Sequence, residues 1–273
     1  MKSQWECFSE NLGVWIGSFT KLSPQGEELG DTPSRLTLEK LENSENARLT
    51  LQREGLQDLV LDFSSFSKSV LFFENGAFSQ GSMQFSPISD FGAEFSLICD
   101  NRRLRIVQLF DRQSQLSSIT LIREYQEGMG KNYRPSLTVE SLLGKWEGEA
   151  VTIYPDLRNP DKFSSQIELN LESKADGSDR LHQTLIFGQR KINSSASVNG
   201  SKLLFDQNPD NPIQVLLLPD GASCTSPLKP KIGQSIFLEI GWLIKPDLRQ
   251  RMIRSFDEKG EWVSLTLVTE RKI

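Results

Sequence analysis

The residues of this sequence best suited to bind a ligand are arginines at alternate positions. Arg103 and Arg105 are two positions apart, as are Arg249 and Arg251, so each pair lies on one face of an extended strand. Because a guanidinium group holds a carboxylate through two parallel hydrogen bonds, an inward-facing pair predicts a site for an anionic ligand. The alternative interpretation places these arginines at the solvated rim of the strand, with their neighbours as the buried set: Leu104, Ile106 and Phe110.

Catalytic chemistry has little support in the sequence. The one histidine, His182, lies on the polar side of an alternating segment, where we expect a surface residue. Cys7, Cys99 and Cys224 form no CxxC pair, and no carboxylates stand at a spacing that would complete a transition-metal site. A Gly-rich phosphate loop, a Gly-x-Ser-x-Gly nucleophile motif and a dinucleotide fingerprint are all missing. We therefore predict a protein that is not an enzyme and has no catalytic residue, metal or cofactor.

Length and charge limit the remaining classes of function. The 273 residues correspond to just under two domains at ~150 residues per domain. The net charge of -5 argues against nucleic-acid binding, which needs a basic surface to displace counterions. No apolar run approaches the ~20 residues that span a bilayer, and Glu6 and Glu10 lie where an export signal would be apolar. Since sparse cysteines fit a reducing compartment, we predict a cytoplasmic protein without a membrane span.

The two halves of the chain repeat the same pattern. Gly13, Trp15 and Gly17 form a Gly-x-Trp-x-Gly motif that returns, displaced by 131 positions, as Gly144, Trp146 and Gly148. Near the ends of the halves, residues 103–111 align with 249–257 at a displacement of 146. Several matches in the same order indicate an internal duplication. We expect the extra residues of the second copy in 154–163 and 208–212.

Within each copy, apolar and polar residues alternate with a period of two, as in 47–52 and 166–172. This pattern is typical of an antiparallel sheet with one buried face, and eight to ten strands tend to curl into a barrel. Short helices are predicted over 2–12 and 138–143, each ending at a glycine. The predicted fold is all-β, with two tandem antiparallel up-and-down β-barrels, each preceded by a short helix. We place the domains at 1–127 and 137–273, joined by a linker over 128–136.

A short helix followed by Gly-x-Trp on the first strand resembles the calycin group, which includes lipocalins and fatty-acid-binding proteins. The resemblance implies that Trp15 and Trp146, with their four flanking glycines, are structural residues at the closed barrel end. It also implies a basic residue across each Trp after the last strand, for which Arg123 and Arg271 are the candidates. The Arg123-x-Tyr125 pair is similar to the pair that holds a carboxylate in fatty-acid-binding proteins. The predicted ligand-binding residues are therefore Arg103, Arg105, Arg123 and Tyr125.

The whole chain, with its Trp5…Phe8…Asn11-Leu12-Gly13-x-Trp15 opening, resembles a cyanobacterial and chloroplast family of two-barrel, calycin-like proteins, a domain of unknown function. The resemblance to its plant member implies a biogenesis factor that helps to assemble the soluble head of ATP synthase by binding its subunits. We therefore predict a protein-binding assembly or chaperone-like factor. The alternative is a barrel carrier of a hydrophobic anionic small molecule, fatty-acid-like or tetrapyrrole. For protein binding, Pro209–Val215 and residues 226–231 are exposed-looking candidate segments.

Overall fold

The computed structural model describes residues 2–41, 45–173 and 177–273. Within these ranges the chain forms two short α-helices, one 3-10 turn at Pro219–Gly221, and nineteen strands. The first half contains α1 (Gln4–Ser9), β1 (Gly13–Leu22), β2 (Glu28–Lys40), β3 (Ala47–Arg53), β4 (Leu59–Phe63), β5 (Val70–Phe72), β6 (Phe78–Gly81), β7 (Phe91–Cys99), β8 (Arg102–Phe110) and β9 (Leu116–Gln126). The second contains α2 (Val139–Leu142), β10 (Gly144–Ile153), β11 (Asp161–Ser173), β12 (Asp179–Phe187), β13 (Arg190–Asn199), β14 (Lys202–Phe205), β15 (Ile213–Leu217), β16 (Ala222–Pro227), β17 (Ile236–Lys245), β18 (Leu248–Phe256) and β19 (Trp262–Lys272).

The strands form two antiparallel, barrel-like sheets. Strands β10 to β19 close into a ten-stranded barrel in sequence order. Strands β1 to β9 form a curled sheet in the order β4-β3-β2-β1-β9-β8-β7-β6-β5, in which β4 and β5 are the edges. The predicted all-β fold of two barrel-like sheets, each preceded by a short helix, is confirmed. The predicted closure of the first sheet into a barrel is not seen, because no strand of the described chain joins β4 to β5.

The chain divides into two compact units. One comprises the residues up to Ser82 together with Gly92–Leu109 and Ser118–Asn132. The other comprises Met83–Phe91, Phe110–Ser117 and Tyr133–Ile273. Residues 127–138, which include the predicted linker, form neither helix nor strand. The domain limits of 1–127 and 137–273 stay a prediction.

The strand registers locate the extra residues of the second copy. Gly13 pairs with Leu38 in the first sheet and Gly144 with Leu169 in the barrel, so the displacement of 131 persists into β11. The prediction of an insertion in 154–163 is therefore wrong. By strand pairing, Val70 of β5 in the first sheet corresponds to Val215 of β15 in the barrel, so the displacement between the copies has grown to 145. Most of the extra residues thus lie between β13 and β15, where they form β14 and the predicted stretch 208–212.

The two helices are shorter than predicted, but each has the same structural role in its copy: it precedes the first strand, and the helix or the turn after it supplies a hydrogen-bond acceptor to the buried Trp. A capping box between Ser3 and Glu6 begins α1, and Thr138 caps α2. After each helix the indole N–H of the first-strand Trp donates to a backbone carbonyl: Trp15 to Asn11 at 2.9 Å and Trp146 to Leu142 at 2.8 Å. Both indoles are fully buried, so this bond satisfies a donor that water cannot reach.

Aromatic side chains bridge the open seam of the first sheet. Trp5 and Phe8 of α1 pack against Phe63 at the end of β4, Phe66 in the connection and Phe72 of β5. The Gln4 side chain also donates to and accepts from the backbone of Phe72 at 3.0 and 2.8 Å. Helix α1 therefore covers the free edge of β5, whereas nothing comparable covers β4 within the described residues.

Candidate functional site

The predicted ligand residues Arg103 and Arg105 lie side by side on β8 and are buried. Glu124 of β9 accepts from Nε of both arginines, at 2.8 and 3.0 Å, and from Nη2 of Arg105 at 2.9 Å. Glu94 of β7 accepts from Nη1 of Arg105 at 2.6 Å. The interpretation that these arginines lie solvated at a rim is wrong, because two carboxylates neutralise them and allow their burial.

The second barrel repeats this cluster residue for residue. Arg249 donates to Glu270 through Nε and Nη2, at 3.0 and 2.6 Å. Arg251 donates to Glu270 at 2.8 Å and to Glu239 at 3.3 Å. Two buried cations and two carboxylates thus lie in each copy, and their formal charges sum to zero.

The pKa values of the two central carboxyl groups are low. Burial alone would raise the pKa of Glu124, but the charges and hydrogen bonds of Arg103 and Arg105 outweigh it and hold this pKa at about 2. The same balance of burial against Arg251 and Arg249 holds the pKa of Glu270 at about 2. Both groups are therefore carboxylates at neutral pH.

Basic residues cover the two buried tryptophans, and each copy contributes an arginine from β8 or β18. The guanidinium carbon of Arg103 lies 4.3 Å from the centroid of the Trp15 ring, and that of Arg249 lies 4.7 Å from Trp146. The prediction of Arg123 and Arg271 for this position is wrong, but in the closed barrel a basic residue at the end of the last strand does cover the Trp: Nζ of Lys272 lies 5.3 Å from the centroid of the Trp146 ring. Arg271 instead forms an exposed ion pair with Asp247 at 3.7 Å.

The four predicted ligand residues do not form one site. Arg123 and Tyr125 flank Glu124 on β9, so their side chains leave the opposite face of the strand. Accordingly, Arg123 donates to Thr20 at 2.7 Å rather than joining the cluster of Arg103 and Arg105. Ligand binding by these residues stays a prediction.

The glycines of the Gly-x-Trp-x-Gly motif have two separate roles. Gly13 and Gly144 have φ values of +119° and +103°, which favour glycine at the turn from helix to strand. Gly17 and Gly148 have no such angle but lie against the last strand. A Cβ at Gly17 would stand 2.0 Å from the Arg123 carbonyl oxygen, and one at Gly148 would stand 1.9 Å from that of Thr269.

The remaining reactive side chains do not assemble into a site. His182 is exposed and bonds Glu172 at 2.8 Å, as expected for a surface residue. Cys7 and Cys224 are buried, and burial raises the pKa of both thiols. In the part of the chain that the structure describes, no three side chains of metal-ligating type come together.

The proline-rich segments that suggested a protein-binding surface are partly built into the barrel. Ile213 to Val215 belong to β15, and Ser226 and Pro227 end β16 and are buried. The exposed part is confined to the ends of the connections, for example Pro209 and Lys231. The prediction of two exposed segments is therefore wrong over these strand residues.

A feature that sequence reasoning missed is the edge strand β4. The period-two alternation of each copy predicted one buried face for every strand, yet Leu59, Val60 and Leu61 are 40%, 53% and 47% exposed. Trp15, Leu36, Leu51 and Leu59 form one cross-strand row, which is buried at β1 and emerges into solvent at β4.

The duplicated strand differs from this edge in composition. By register, the counterparts of Leu59, Val60 and Leu61 are Ile192, Asn193 and Ser194 of β13. Two of the three are polar, Ile192 is 50% exposed, and β14 pairs with β13 only over residues 197–199. In the sequence, the exposed apolar residues of β4 could have been found by comparing the two copies position by position.

Comparisons with known proteins place the chain in a family. Residues 133–273 match the family described as "Biogenesis factor required for ATP synthase 1, C-terminal domain", and residues 1–129 match "Domain of unknown function (DUF3598), N-terminal". A crystal structure of a DUF3598-family protein of unknown function from Nostoc punctiforme is 55% identical, covers 100% of both chains and has a TM-score of 0.95. A comparison with curated proteins gave no match.

More distant structures are also similar in part. An S-type phycobiliprotein lyase from Guillardia theta is 14% identical, covering 50% of this chain and 90% of its own, with a TM-score of 0.38.

Among the described residues, no helix is long and apolar enough to cross a bilayer. From the two family matches and the full-length Nostoc relative, the chain belongs to the family that combines the DUF3598 N-terminal domain with the C-terminal domain of the ATP synthase biogenesis factor.

Proposed function

We propose that this protein is a non-enzymatic, cytoplasmic assembly factor that binds subunits of the soluble head of ATP synthase. The support for this role is the match of residues 133–273 to a family described as a biogenesis factor required for ATP synthase. We further propose that the partner docks on the edge strand β4.

The proposal that the partner docks on β4 is based on the free edge of this strand. On one side β4 pairs with β3, and within the described residues no strand pairs with its other side. An unpaired edge with exposed apolar side chains is a template for strand addition, which folded proteins otherwise cover or charge. A partner segment in extended conformation would gain main-chain hydrogen bonds from β4 and apolar contacts from Leu59 and Leu61.

The charge of the arginine clusters favours protein binding over transport of a hydrophobic anion. Glu124 and Glu94 neutralise Arg103 and Arg105 fully. A carboxylate that entered this cluster would add an unbalanced buried charge, which costs several kcal/mol.

The test of this proposal is binding of purified ATP synthase head subunits to the full-length chain. The double variant Val60→Asn, Leu61→Ser copies the residues of β13, and we expect it to weaken binding roughly tenfold or more. The control is Ile192→Ser, which removes an exposed apolar side chain from the corresponding segment of the closed barrel, at the counterpart of Leu59, and should leave affinity unchanged. Equal affinity of the double variant and the parent would remove β4 from the interface, and no binding by the parent would contradict the assembly role.

A further inference from the structure

The closed barrel contains a cavity that is lined by both apolar and charged side chains. Its volume is about 70 Å³. The apolar wall includes Leu142, Ile167, Leu181 and Leu203. The cavity is also lined by Arg249, Arg251 and Glu239 of the buried cluster and by the hydroxyl residues Ser223 and Thr225. Such a cavity suits a small molecule with one polar group and a short apolar body.

One nitrogen of the cluster is left without a protein partner. Arg249 is 5% exposed, and both of its hydrogen bonds, from Nε and Nη2, go to Glu270. No described residue accepts from Nη1. Because Arg249 lines the cavity, this N–H is available to a ligand atom that accepts a hydrogen bond.

The first copy shows what kind of acceptor the arginine takes. There Nη1 of Arg103, the counterpart of Arg249, donates to the side-chain amide oxygen of Asn11 at 3.1 Å. Asn11 corresponds to Leu142 at the displacement of 131 that relates Trp15 to Trp146. The second copy has therefore replaced an amide carbonyl by an apolar side chain, and that side chain lines the cavity.

The charge balance of the cluster favours a ligand without a net charge. Arg249 and Arg251 face Glu270 and Glu239, so the four formal charges already cancel. A neutral carbonyl oxygen accepts from Nη1 without adding a charge, whereas a carboxylate would leave one negative charge unbalanced. One water occupies roughly 10–15 Å³ of such a cavity, so this one takes about five to seven non-hydrogen atoms.

We propose that the cavity of the ten-stranded barrel binds a small neutral carbonyl compound of about six non-hydrogen atoms, whose oxygen accepts a hydrogen bond from Arg249. The site is independent of the β4 edge and of the assembly role. It lies in the second copy because Leu142 offers Arg249 no acceptor, whereas Asn11 supplies one to Arg103 in the first.

The experiment is an NMR titration of the full-length protein with butanamide and, separately, with butanoate. We expect butanamide to shift the backbone amide signals of the lining residues Gly221 and Gly241 saturably, with a dissociation constant on the order of a millimolar. Butanoate, which has the same size and one negative charge, should bind at least roughly a hundredfold more weakly. Tighter binding of butanoate, or no saturable shift with butanamide, would overturn the proposal.

A variant links the ligand to the missing acceptor. Leu142→Asn supplies the amide of the first copy, and we expect it to weaken butanamide binding roughly tenfold or more. The control Leu143→Asn changes the adjacent residue, which does not line the cavity. Unchanged butanamide affinity in a folded Leu142→Asn protein would contradict the assignment. If that variant does not fold, the comparison of butanamide with butanoate on the unaltered protein decides.

Discussion

Gly17 and Glu124 face each other across the antiparallel pair of β1 and β9, and a Cβ atom at Gly17 would lie 2.9 Å from Cγ of Glu124. Gly148 and Glu270 are paired in the same way in the closed barrel. The second glycine of each Gly-x-Trp-x-Gly motif therefore leaves room for the carboxylate that neutralises two buried arginines. The motif and the charge cluster are parts of one arrangement, and the duplication preserves both.

Substitution of these glycines should destabilise the fold. Gly17→Ala or Gly148→Ala places a methyl group within about 2 Å of a backbone carbonyl oxygen, which neither strand can avoid without moving. We expect the free energy of unfolding, measured by urea denaturation, to fall by about 1–3 kcal/mol. The control Gly30→Ala has no atom within 4 Å of the new methyl group and should change stability by less than about 0.5 kcal/mol. Equal effects at Gly17 and Gly30 would contradict the close approach.

Loss of either central carboxylate should leave two buried arginines uncompensated. We expect Glu124→Gln and Glu270→Gln each to lower the free energy of unfolding by about 3–5 kcal/mol, since one partner of a buried ion network is removed. Glu172→Gln, whose side chain is exposed beside His182, is the matched control and should have little effect. The measurement is chemical denaturation at neutral pH. A loss below about 1 kcal/mol for both variants would show that the clusters contribute little to stability.

The low pKa values of Glu124 and Glu270 predict sensitivity to acid. Both groups have a folded-state pKa of about 2, below the ordinary 4.5, so their contribution is complete above pH 4.5 and is lost as pH falls toward 2. We expect the free energy of unfolding to fall over this interval. In the double variant Glu124→Gln, Glu270→Gln, measured by denaturation at each pH, the slope should be smaller by up to about two protons. An identical slope would contradict the assignment.

The free edge of β4 should be visible by hydrogen exchange. We expect part of the backbone amides of Leu59–Phe63 to exchange fast in the isolated protein, because only one side of this strand pairs. Addition of purified ATP synthase head subunits should slow that exchange, whereas the amides of the barrel strand Trp262–Lys272 should be unaffected. Slow exchange throughout β4 in the isolated protein would contradict a free edge.

Much of the fold could be predicted from the sequence because it depends on local patterns. Alternation with a period of two, the repeated Gly-x-Trp-x-Gly motif and glycine-terminated helices predicted two barrel-like sheets with their leading helices. The position of β14 was not predictable in this way, because a four-residue strand has the composition of an ordinary turn-flanked segment. The register between copies, which only the paired strands reveal, located it.

The site was harder to predict, since burial of charge depends on partners distant in sequence. The alternating arginines of β8 and β18 were visible in the sequence, but their carboxylate partners were not. Glu124 and Glu270 lie 19 or 21 residues from the arginines that they bind. Glu94 and Glu239 lie on a third strand. The exposure of Leu59, Val60 and Leu61 was hidden for a related reason. Alternation identifies a strand, but whether its outer side has a neighbour is decided by the rest of the sheet.

The most direct test of the assembly role is native mass spectrometry of the protein purified gently from its own host. We predict a complex that contains the 30.9 kDa chain together with one or more head subunits of ATP synthase. The Val60→Asn, Leu61→Ser variant, purified in parallel, should lose those subunits. Recovery of the chain without any head subunit, whether bare or with a small molecule only, would contradict the account.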